Sequence, residues 1–186
     1  MTGANLTNQF LIAMPGLMDP NFHQTVTYIC AHNEDGAMGI VINRPLDLAL
    51  HDVLAQMDLK ACSDSVGKMP IYQGGPVQTD RGFVLHNPDS EWQSSINVSD
   101  EIGVTTSRDI LQAIAAGQGP KHSLIALGYA GWSAGQLERE LKDNAWLSGP
   151  ANSDIIFRMP CEKRWESAAR LLGVDLDRLS SDIGHA

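Results

Sequence analysis

The first part of the chain alternates short runs of β-branched and aromatic residues with turn residues. Three such runs predict strands, at 10–14 (FLIAM), 25–32 (TVTYICAH) and 38–43 (MGIVIN). Asp35-Gly36 lies between the second and third runs, and an Asp-Gly pair between two strand patterns predicts a β-hairpin. Pro45 has no amide hydrogen to donate, so we expect strand pairing to stop there.

The rest of the chain mixes helical and strand periodicity. Apolar residues at helical spacing predict helices over 48–59, 107–117 and 162–173, and the tail 174–186 is expected to add one or two turns. Thr106 and Asp109 have the spacing of a capping arrangement for the second helix. Short apolar runs predict further strands, at 70–73, 82–86, 95–98, 102–106, 123–130 and 154–158.

Strands and helices do not follow the strict alternation that a doubly wound parallel sheet requires. The pattern therefore predicts an α+β fold (mixed α/β), in which a coiled mixed sheet is flanked by helices. At 186 residues the chain has the length of a single domain.

The net charge of the chain limits the classes of partner that it is expected to bind. The chain has 13 Lys and Arg against 22 Asp and Glu, a net charge of −9. Because sequence-independent DNA binding relies on basic side chains that neutralise phosphates, we expect no direct nucleic-acid binding. The apolar stretch near the N-terminus is short and broken by Pro15, so neither an export signal nor a membrane segment is expected. With three widely spaced cysteines, this predicts a cytoplasmic protein.

One short motif suggests catalysis. Residues 131–135 (GWSAG) match the G-x-S-x-G pattern of hydrolase nucleophile elbows. In that class an acid and then a histidine follow the serine, whereas His185 is the one histidine after Ser133. Ser133 and Gln136 instead fit an S-x-x-Q capping box. We therefore predict that Ser133 starts a helix, and we assign no catalytic residue.

Neither the histidines nor the glycines indicate a cofactor. The six histidines show no metal-binding spacing, and no cysteine pair forms C-x-x-C, so no metal site is predicted. Gly128, Gly131 and Gly135 could form a phosphate-binding turn, but they match neither nucleotide-binding motif. No cofactor is predicted.

Two arginines and several glycines mark a candidate binding surface. Arg44 follows the third predicted strand, and Gly74, Gly75 and Arg81 flank a second loop. The turn Gly131-Trp132 follows a third strand. Since loops on a rigid scaffold often carry binding groups, these six residues predict a site for a small anionic ligand or a protein partner. The alternative is that each arginine pairs locally, Arg81 with Asp80 or Asp89 for instance.

Several phrases together resemble the YqgE/AlgH family of bacterial proteins. They are FLIAMPGLMDPNFHQTVTYIC, HNEDGAMGIVINRP, YQGGPVQTDRGFVLH, IALGYAGWSAGQLE and NAWL, within 10–158. The resemblance implies one compact domain over 1–186, with a coiled, partly barrel-like sheet. Some family members carry the label of transcriptional regulator, and no reaction is established for the family.

Two functional hypotheses follow. The first is a non-enzymatic binding or regulatory protein with an indirect effect on transcription. The second is an enzyme or nucleotide-binding protein that uses the same loops near Arg44, Arg81 and Trp132. We favour the first because no paired acid–base or nucleophile–base spacing is present.

Overall fold

The computed structural model describes residues 5–179, in which ten strands form one curled sheet with helices packed on both faces. The strands are β1 (Gln9–Ala13), β2 (Val26–Asn33), β3 (Gly36–Val41), β4 (Pro45–Ala49), β5 (Pro70–Gln73), β6 (Val77–His86), β7 (Ser95–Asn97), β8 (Gly103–Thr105), β9 (Ser123–Ser133) and β10 (Trp146–Pro150). The helices are α1 (Leu50–Gln56), α2 (Asp64–Gly67), α3 (Arg108–Ala115), α4 (Gln136–Lys142), α5 (Ser153–Phe157) and α6 (Arg164–Arg170), with a 3₁₀ turn at Cys161–Lys163. Among these described residues no helix is long and apolar enough to span a lipid bilayer.

The sheet is a half-barrel, mostly antiparallel, with strand order β10-β1-β2-β3-β9-β6-β8-β7. The long strand β9 is its centre. Antiparallel β6 pairs along one edge of β9, while the other edge takes parallel β5 at Ile125–Leu127 and antiparallel β3 at Ala130–Ser133. Strand β4 extends the sheet beyond β5.

Burial separates the two faces of the sheet. On one face, residues from β1, β2, β3, β5, β6, β8 and β9 form a single cluster, which α5 and α6 cover. On the other face the apolar residues divide into two clusters, one under α4 and one under α1 and α3. One cluster shared by so many strands requires the sheet to curl around it, so this is the concave face. The predicted fold class and its barrel-like sheet are confirmed.

The hairpin around Asp35-Gly36 is confirmed, since β2 pairs with β3 through to Asn33 and Gly36. The expectation that pairing stops at Pro45 is wrong. Pro45 begins β4 and lies opposite Tyr72 of β5. A proline is compatible with the first residue of an edge strand, because its nitrogen can face away from the neighbouring strand.

The segment 154–158 is the clearest error of secondary structure. Residues 154–157 of this predicted strand belong to helix α5, and Arg158 is its C-cap. The Asn152 side chain caps the first turn by accepting a hydrogen bond from the Ile155 amide (3.1 Å). The strand in this region is β10, which the sequence pattern missed and which pairs with β1. Short apolar runs fit a buried strand and a buried helix equally well, so periodicity could not separate them.

The other helix boundaries also shifted. Helix α1 begins at Leu50 rather than at residue 48, because β4 takes the preceding residues. The helix predicted over 162–173 is α6, which ends at Arg170 and follows the 3₁₀ turn. The cap predicted for α3 from Thr106 is wrong, since its N-cap is Ser107. In the tail, a helical turn at 176–179 agrees with the expectation, and residues 180–186 lie outside the described residues.

Candidate functional site

A groove of about 960 Å³ opens on the concave face of the half-barrel. One wall is the β2–β3 hairpin, through residues of 30–38. The opposite wall is the end of the sheet, through residues of 93–98 and strand β8. Strands β6 and β9 form the floor between them. The volume is within the range of small-molecule binding sites in proteins.

Two aromatic rings meet at the floor of the groove, Tyr129, which is partly exposed, and Phe83, which is buried beside it. Phe83 of β6 and Tyr129 of β9 meet edge to face, with ring centroids 5.7 Å apart. Met38 and Val104 flank the pair from the two walls. Ile96 of β7 also lines the groove and is 68% exposed, one of few large apolar side chains so open to solvent in the described part. An apolar surface left open beside a polar rim is typical of an interaction site.

Arg81 is the one basic residue among the described residues that line this groove. Its guanidinium carbon lies 5.4 Å from the centroid of the Phe83 ring, and its Nη1 donates to Gln78 Oε1 at 3.3 Å. No described carboxylate lies within 4.0 Å of it. The local pairing with Asp80 or Asp89 that we considered is therefore not what the described residues show, and the cation remains available to an anionic group.

Two side chains at the start of α3 fix the rim beside β7. The Ser107 hydroxyl accepts the Ser94 amide (3.0 Å) and donates to Asp109 Oδ1 (2.5 Å). Asp109 Oδ2 accepts the Gln93 amide (2.9 Å). Partial burial opposes ionisation of Asp109, but these hydrogen bonds and one from the Ile110 amide outweigh it and lower the pKa of the carboxyl. The rim is thus held by an ionised carboxylate.

A thiol also faces the groove. Cys30 lies at the irregularity in the β2–β3 ladder and packs against the main core cluster. Burial raises the pKa of the Cys30 thiol to about 12. Because the thiolate is the nucleophile, a thiol with this pKa is a poor reactive group at neutral pH. Cys30 therefore contributes apolar surface to the site.

Only some of the residues predicted from the sequence meet at this groove. Arg81, Gly131 and Trp132 line it. Arg44 is not among the described residues that do so. Its guanidinium is occupied by the main-chain carbonyls of Pro20 and His23, the latter at 3.2 Å. A site shared by Arg44 and Arg81 is therefore not formed in this structure.

Gly74 and Gly75 are buried beneath β9 rather than exposed at the groove. A Cβ on Gly74 would lie 2.3 Å from the Gly128 carbonyl oxygen, and one on Gly75 would lie 2.1 Å from the Tyr129 carbonyl carbon. These glycines allow two backbone segments to approach closely, which explains them by packing.

Trp132 contributes to the rim, while its ring points elsewhere. Alternation along β9 places Tyr129 and Gly131 on the groove face and Trp132 on the other. The indole is buried against Trp146, and the Nε1 groups of both tryptophans donate to Glu140 Oε1, each at 3.0 Å. Trp132 therefore anchors α4 to the sheet.

Ser133 does not cap α4. It is the last residue of β9, and the N-cap is Gly135, whose φ of 76° lies in the left-handed region. The Ser133 amide and hydroxyl both donate to Gln136 Oε1, at 2.9 and 3.3 Å. One of the two hydrogen bonds of the expected capping box is thus present, from the Ser133 amide to the Gln136 side chain. The other is absent among the described residues, since the Ser133 hydroxyl accepts no hydrogen bond from a helix amide. Within residues 5–179, no hydrogen bond joins the hydroxyl to a histidine.

The buried histidines have structural partners. His32 Nδ1 accepts the Leu6 amide (2.9 Å), so its Nε2 carries the proton and donates to Glu138 Oε1 (2.5 Å). His86 Nε2 lies 2.7 Å from Thr105 Oγ1. No three His, Cys, Asp or Glu side chains in the described part come together as metal ligands would.

The sequence matches a family model described as AlgH-like over residues 10–177. The chain belongs to the AlgH-like family. It is 62% identical to a UPF0301 protein of Thioalkalivibrio sulfidiphilus and 60% identical to one of Nitrosococcus oceani. The alignments cover 98% of both chains in the first case and 96% of both in the second.

Two solved structures share the fold of this AlgH-like chain. The solution structure of the AlgH protein from Pseudomonas aeruginosa superposes with a TM-score of 0.81 at 54% identity, covering 97% of this chain and 95% of that one. A crystal structure of protein DIP2367 from Corynebacterium diphtheriae gives a TM-score of 0.74 at 16% identity, covering 97% and 94%. The second comparison shows the fold alone.

Sequence analysis missed the apolar part of the groove, including Phe83, Tyr129 and Ile96. A signal was present in β9, where aromatic residues fall on both faces of one strand, at Tyr129 and Trp132. The phrases that carried the resemblance to the AlgH-like family contain β6 and most of the β2–β3 hairpin and of β9. They therefore supply one wall and the floor of the groove.

Proposed function

We propose that this AlgH-like protein is a non-enzymatic binding protein whose ligand combines an apolar body with an anionic group. The ligand occupies the groove, with its apolar part on Tyr129, Met38 and Ile96 and its anion at Arg81. The observation that carries the proposal is the exposed Arg81 guanidinium beside an aromatic floor, without a described carboxylate partner.

Charge supports this choice of ligand. In a protein of net charge −9, most of the surface repels anions, so a cation free of carboxylates is a local point of attraction. A guanidinium can form paired hydrogen bonds with a carboxylate, sulfonate or phosphate. Binding on the partly exposed Tyr129 and Met38 and the exposed Ile96 adds affinity, because it removes their apolar surface from water.

We further propose that the protein acts in the cytoplasm and that any effect on transcription passes through its ligand or a protein partner. The support is the acidic composition, which disfavours contact with DNA phosphates.

No specific observation favours the alternative of an enzyme or nucleotide-binding protein. Gly128 and Gly131 lie inside strand β9, two to five residues before its end at Ser133. They therefore do not form the turn of amides before a helix that cradles phosphates.

Titration with 8-anilinonaphthalene-1-sulfonate tests the proposed function, because this probe combines an aromatic body with an anion. We expect saturable fluorescence enhancement by the folded protein at one site. Arg81→Gln should weaken binding about tenfold, the effect of losing one charge-assisted interaction of ~1.4 kcal/mol.

The matched control is Arg139→Gln, which removes an exposed arginine of α4 outside the groove. Its affinity should stay within about twofold of the parent protein. Equal affinities for the Arg81 variant and the parent, or no saturable binding by protein with native circular dichroism, would contradict the proposed function.

A further inference from the structure

Strand β7 ends the sheet, and its outer edge lies beside the groove. The strand pairs with β8 on one side alone, with Ile96 opposite Val104. The Thr106 amide donates to the Ser94 carbonyl, and the Val98 amide donates to the Ile102 carbonyl. These contacts identify which positions of the ladder are hydrogen-bonded pairs.

Alternation of an antiparallel ladder then fixes the remaining backbone groups. Because 94/106 and 98/102 are hydrogen-bonded pairs, so is 96/104, and the N–H and C=O groups of Ser95 and Asn97 point away from β8. Neither residue has another backbone partner among the described residues. Two consecutive outward positions thus offer a donor and an acceptor each.

The edge also lacks the usual protection against pairing. Natural edge strands carry charges, prolines or bulges, or are covered by another element. Strand β7 is Ser95-Ile96-Asn97, with all three residues exposed. The short length of β7 is the one feature that limits pairing of this edge with another strand. The Ile96 side chain lies on the groove face beside Val104, so this edge is continuous with the apolar floor.

We propose that the occupant of the groove is an extended segment of a partner polypeptide, which adds a strand to β7 and places an acidic side chain at Arg81. The inference rests on the proposed function and names its ligand. The added strand lies between β7 and the β2–β3 hairpin. Its backbone pairs with Ser95 and Asn97, and alternate side chains face Tyr129 and Met38.

One observation favours a peptide over a small molecule, namely the open backbone edge at Ser95 and Asn97. A small anionic ligand would use Arg81 and the floor but would leave the Ser95 and Asn97 edge open. An extended peptide uses all three features, since main-chain hydrogen bonds supply affinity and pockets for alternate side chains supply specificity. The unpaired Arg81 then selects an acidic residue at one groove-facing position.

The test begins with a display library of random nonapeptides, selected on the parent protein alone and then measured against Asn97→Pro. Proline is tolerated at an edge position whose amide faces outward, so this variant removes one docking amide and keeps the ladder with β8. Asn97→Ala is the matched control, since it loses the same side chain and keeps the amide.

We expect the selected peptides to carry an acidic residue within an alternating apolar pattern. Their affinity should fall at least about tenfold for Asn97→Pro and for Arg81→Gln, and stay within about twofold for Asn97→Ala. N-methylation of the peptide amides that face β7 should abolish binding, whereas N-methylation of the amides between them should leave binding unchanged. The anilinonaphthalene probe should bind Asn97→Pro as it binds the parent.

The outcomes separate the two proposals. Probe binding that depends on Arg81, together with peptides indifferent to Asn97→Pro or no selected peptides, would overturn the inference and leave the groove as a small-molecule site. Probe binding that is as tight for Arg81→Gln as for the parent protein, or no saturable probe binding at all, would contradict the proposed function itself. A parent protein that sediments as a dimer, with Asn97→Pro sedimenting as a monomer, would overturn the inference in favour of pairing between two copies.

Discussion

Two threonines of the same buried region differ in one respect, the partner of the hydroxyl. Thr25 and Thr27 are both 0% exposed. The Thr25 hydroxyl donates to the Phe22 carbonyl (2.7 Å), whereas Thr27 Oγ1 has no hydrogen-bond partner among the described residues. A buried hydroxyl without a partner loses its hydration without compensation.

We predict that Thr27→Val raises the free energy of unfolding by about 1 kcal/mol, because valine keeps the shape and removes the unpaired oxygen. Thr25→Val, the matched control, should lower it by about 1 kcal/mol, since that hydroxyl is bonded. Urea unfolding followed by tryptophan fluorescence measures both. A loss of stability in both variants would show that Thr27 has an unseen partner.

At the scale of elements, the rim of the groove depends on the junction between β7 and α3. The Gln93 and Ile110 amides both donate to Asp109, and these hydrogen bonds favour its ionised form. The folded-state pKa is below the usual 3.8. The ionised carboxylate therefore stabilises the folded junction above pH 3.8, and this contribution is lost as the pH falls through the lower, folded-state pKa.

We predict that the amide resonances of Gln93 and Ile110 shift together in an acid titration, with a midpoint below 3.8. Asp109→Asn should remove that titration and lower the free energy of unfolding at neutral pH, with the difference shrinking in acid. Asp154→Asn alters an exposed carboxylate that pairs with Arg158, and it serves as the control that leaves the titration unchanged. A midpoint at or above 3.8 would show that desolvation dominates.

Local chemistry explains which elements the sequence could predict. The β2–β3 hairpin has strand residues on both sides of Asp35-Gly36, so its signal lies within a few residues. Strand β10 and helix α5 depend on distant partners, β1 for the strand and the concave core for the helix. Tertiary contacts determine whether such a segment forms a strand or a helix, and the periodicity of a short apolar run does not reveal which.

At the scale of the whole molecule, α6 is held on the sheet by a buried arginine. Arg164 is 5% exposed, and its Nε donates to the Met159 carbonyl (3.0 Å). Its Nη1 donates to the carbonyl of Ile42, just after β3, and its guanidinium lies 5.1 Å from the centroid of the Tyr72 ring. One side chain thus joins α6 to two strands and to the preceding turn.

We predict that Arg164→Met lowers the free energy of unfolding by about 2–4 kcal/mol, since hydrogen bonds from a charged donor are lost and buried carbonyls are left without a partner. Arg170→Met, at the exposed end of the same helix, should change it by less than about 0.5 kcal/mol. Equal effects of the two substitutions in urea unfolding would refute the anchoring role of Arg164.

Residues of the candidate site could be predicted where the chemistry of the residue type alone suggested a binding role. Arg81, Gly131 and Trp132 were predicted as site residues, and they do line the groove, but Gly131 and Trp132 lie inside strand β9 and not in the predicted turn. Arg44 has the same chemistry, but the carbonyls of Pro20 and His23 occupy it. The curl of the sheet decides which loops share a surface, and that curl arises from pairings between distant strands.

The pairing of β1 with β10 has a consequence for synthesis of the chain. Phe10 is made long before its partner Gly149, because most of the described sequence lies between them. Until β10 and β9 leave the ribosome, the apolar strands β1–β3 have no complete sheet to join. Contacts so distant along the chain form slowly, because a long loop must close before they give any stabilisation. The nascent chain therefore remains open to chaperones until β10 is made, and a message cut short before β10 yields a product prone to aggregation.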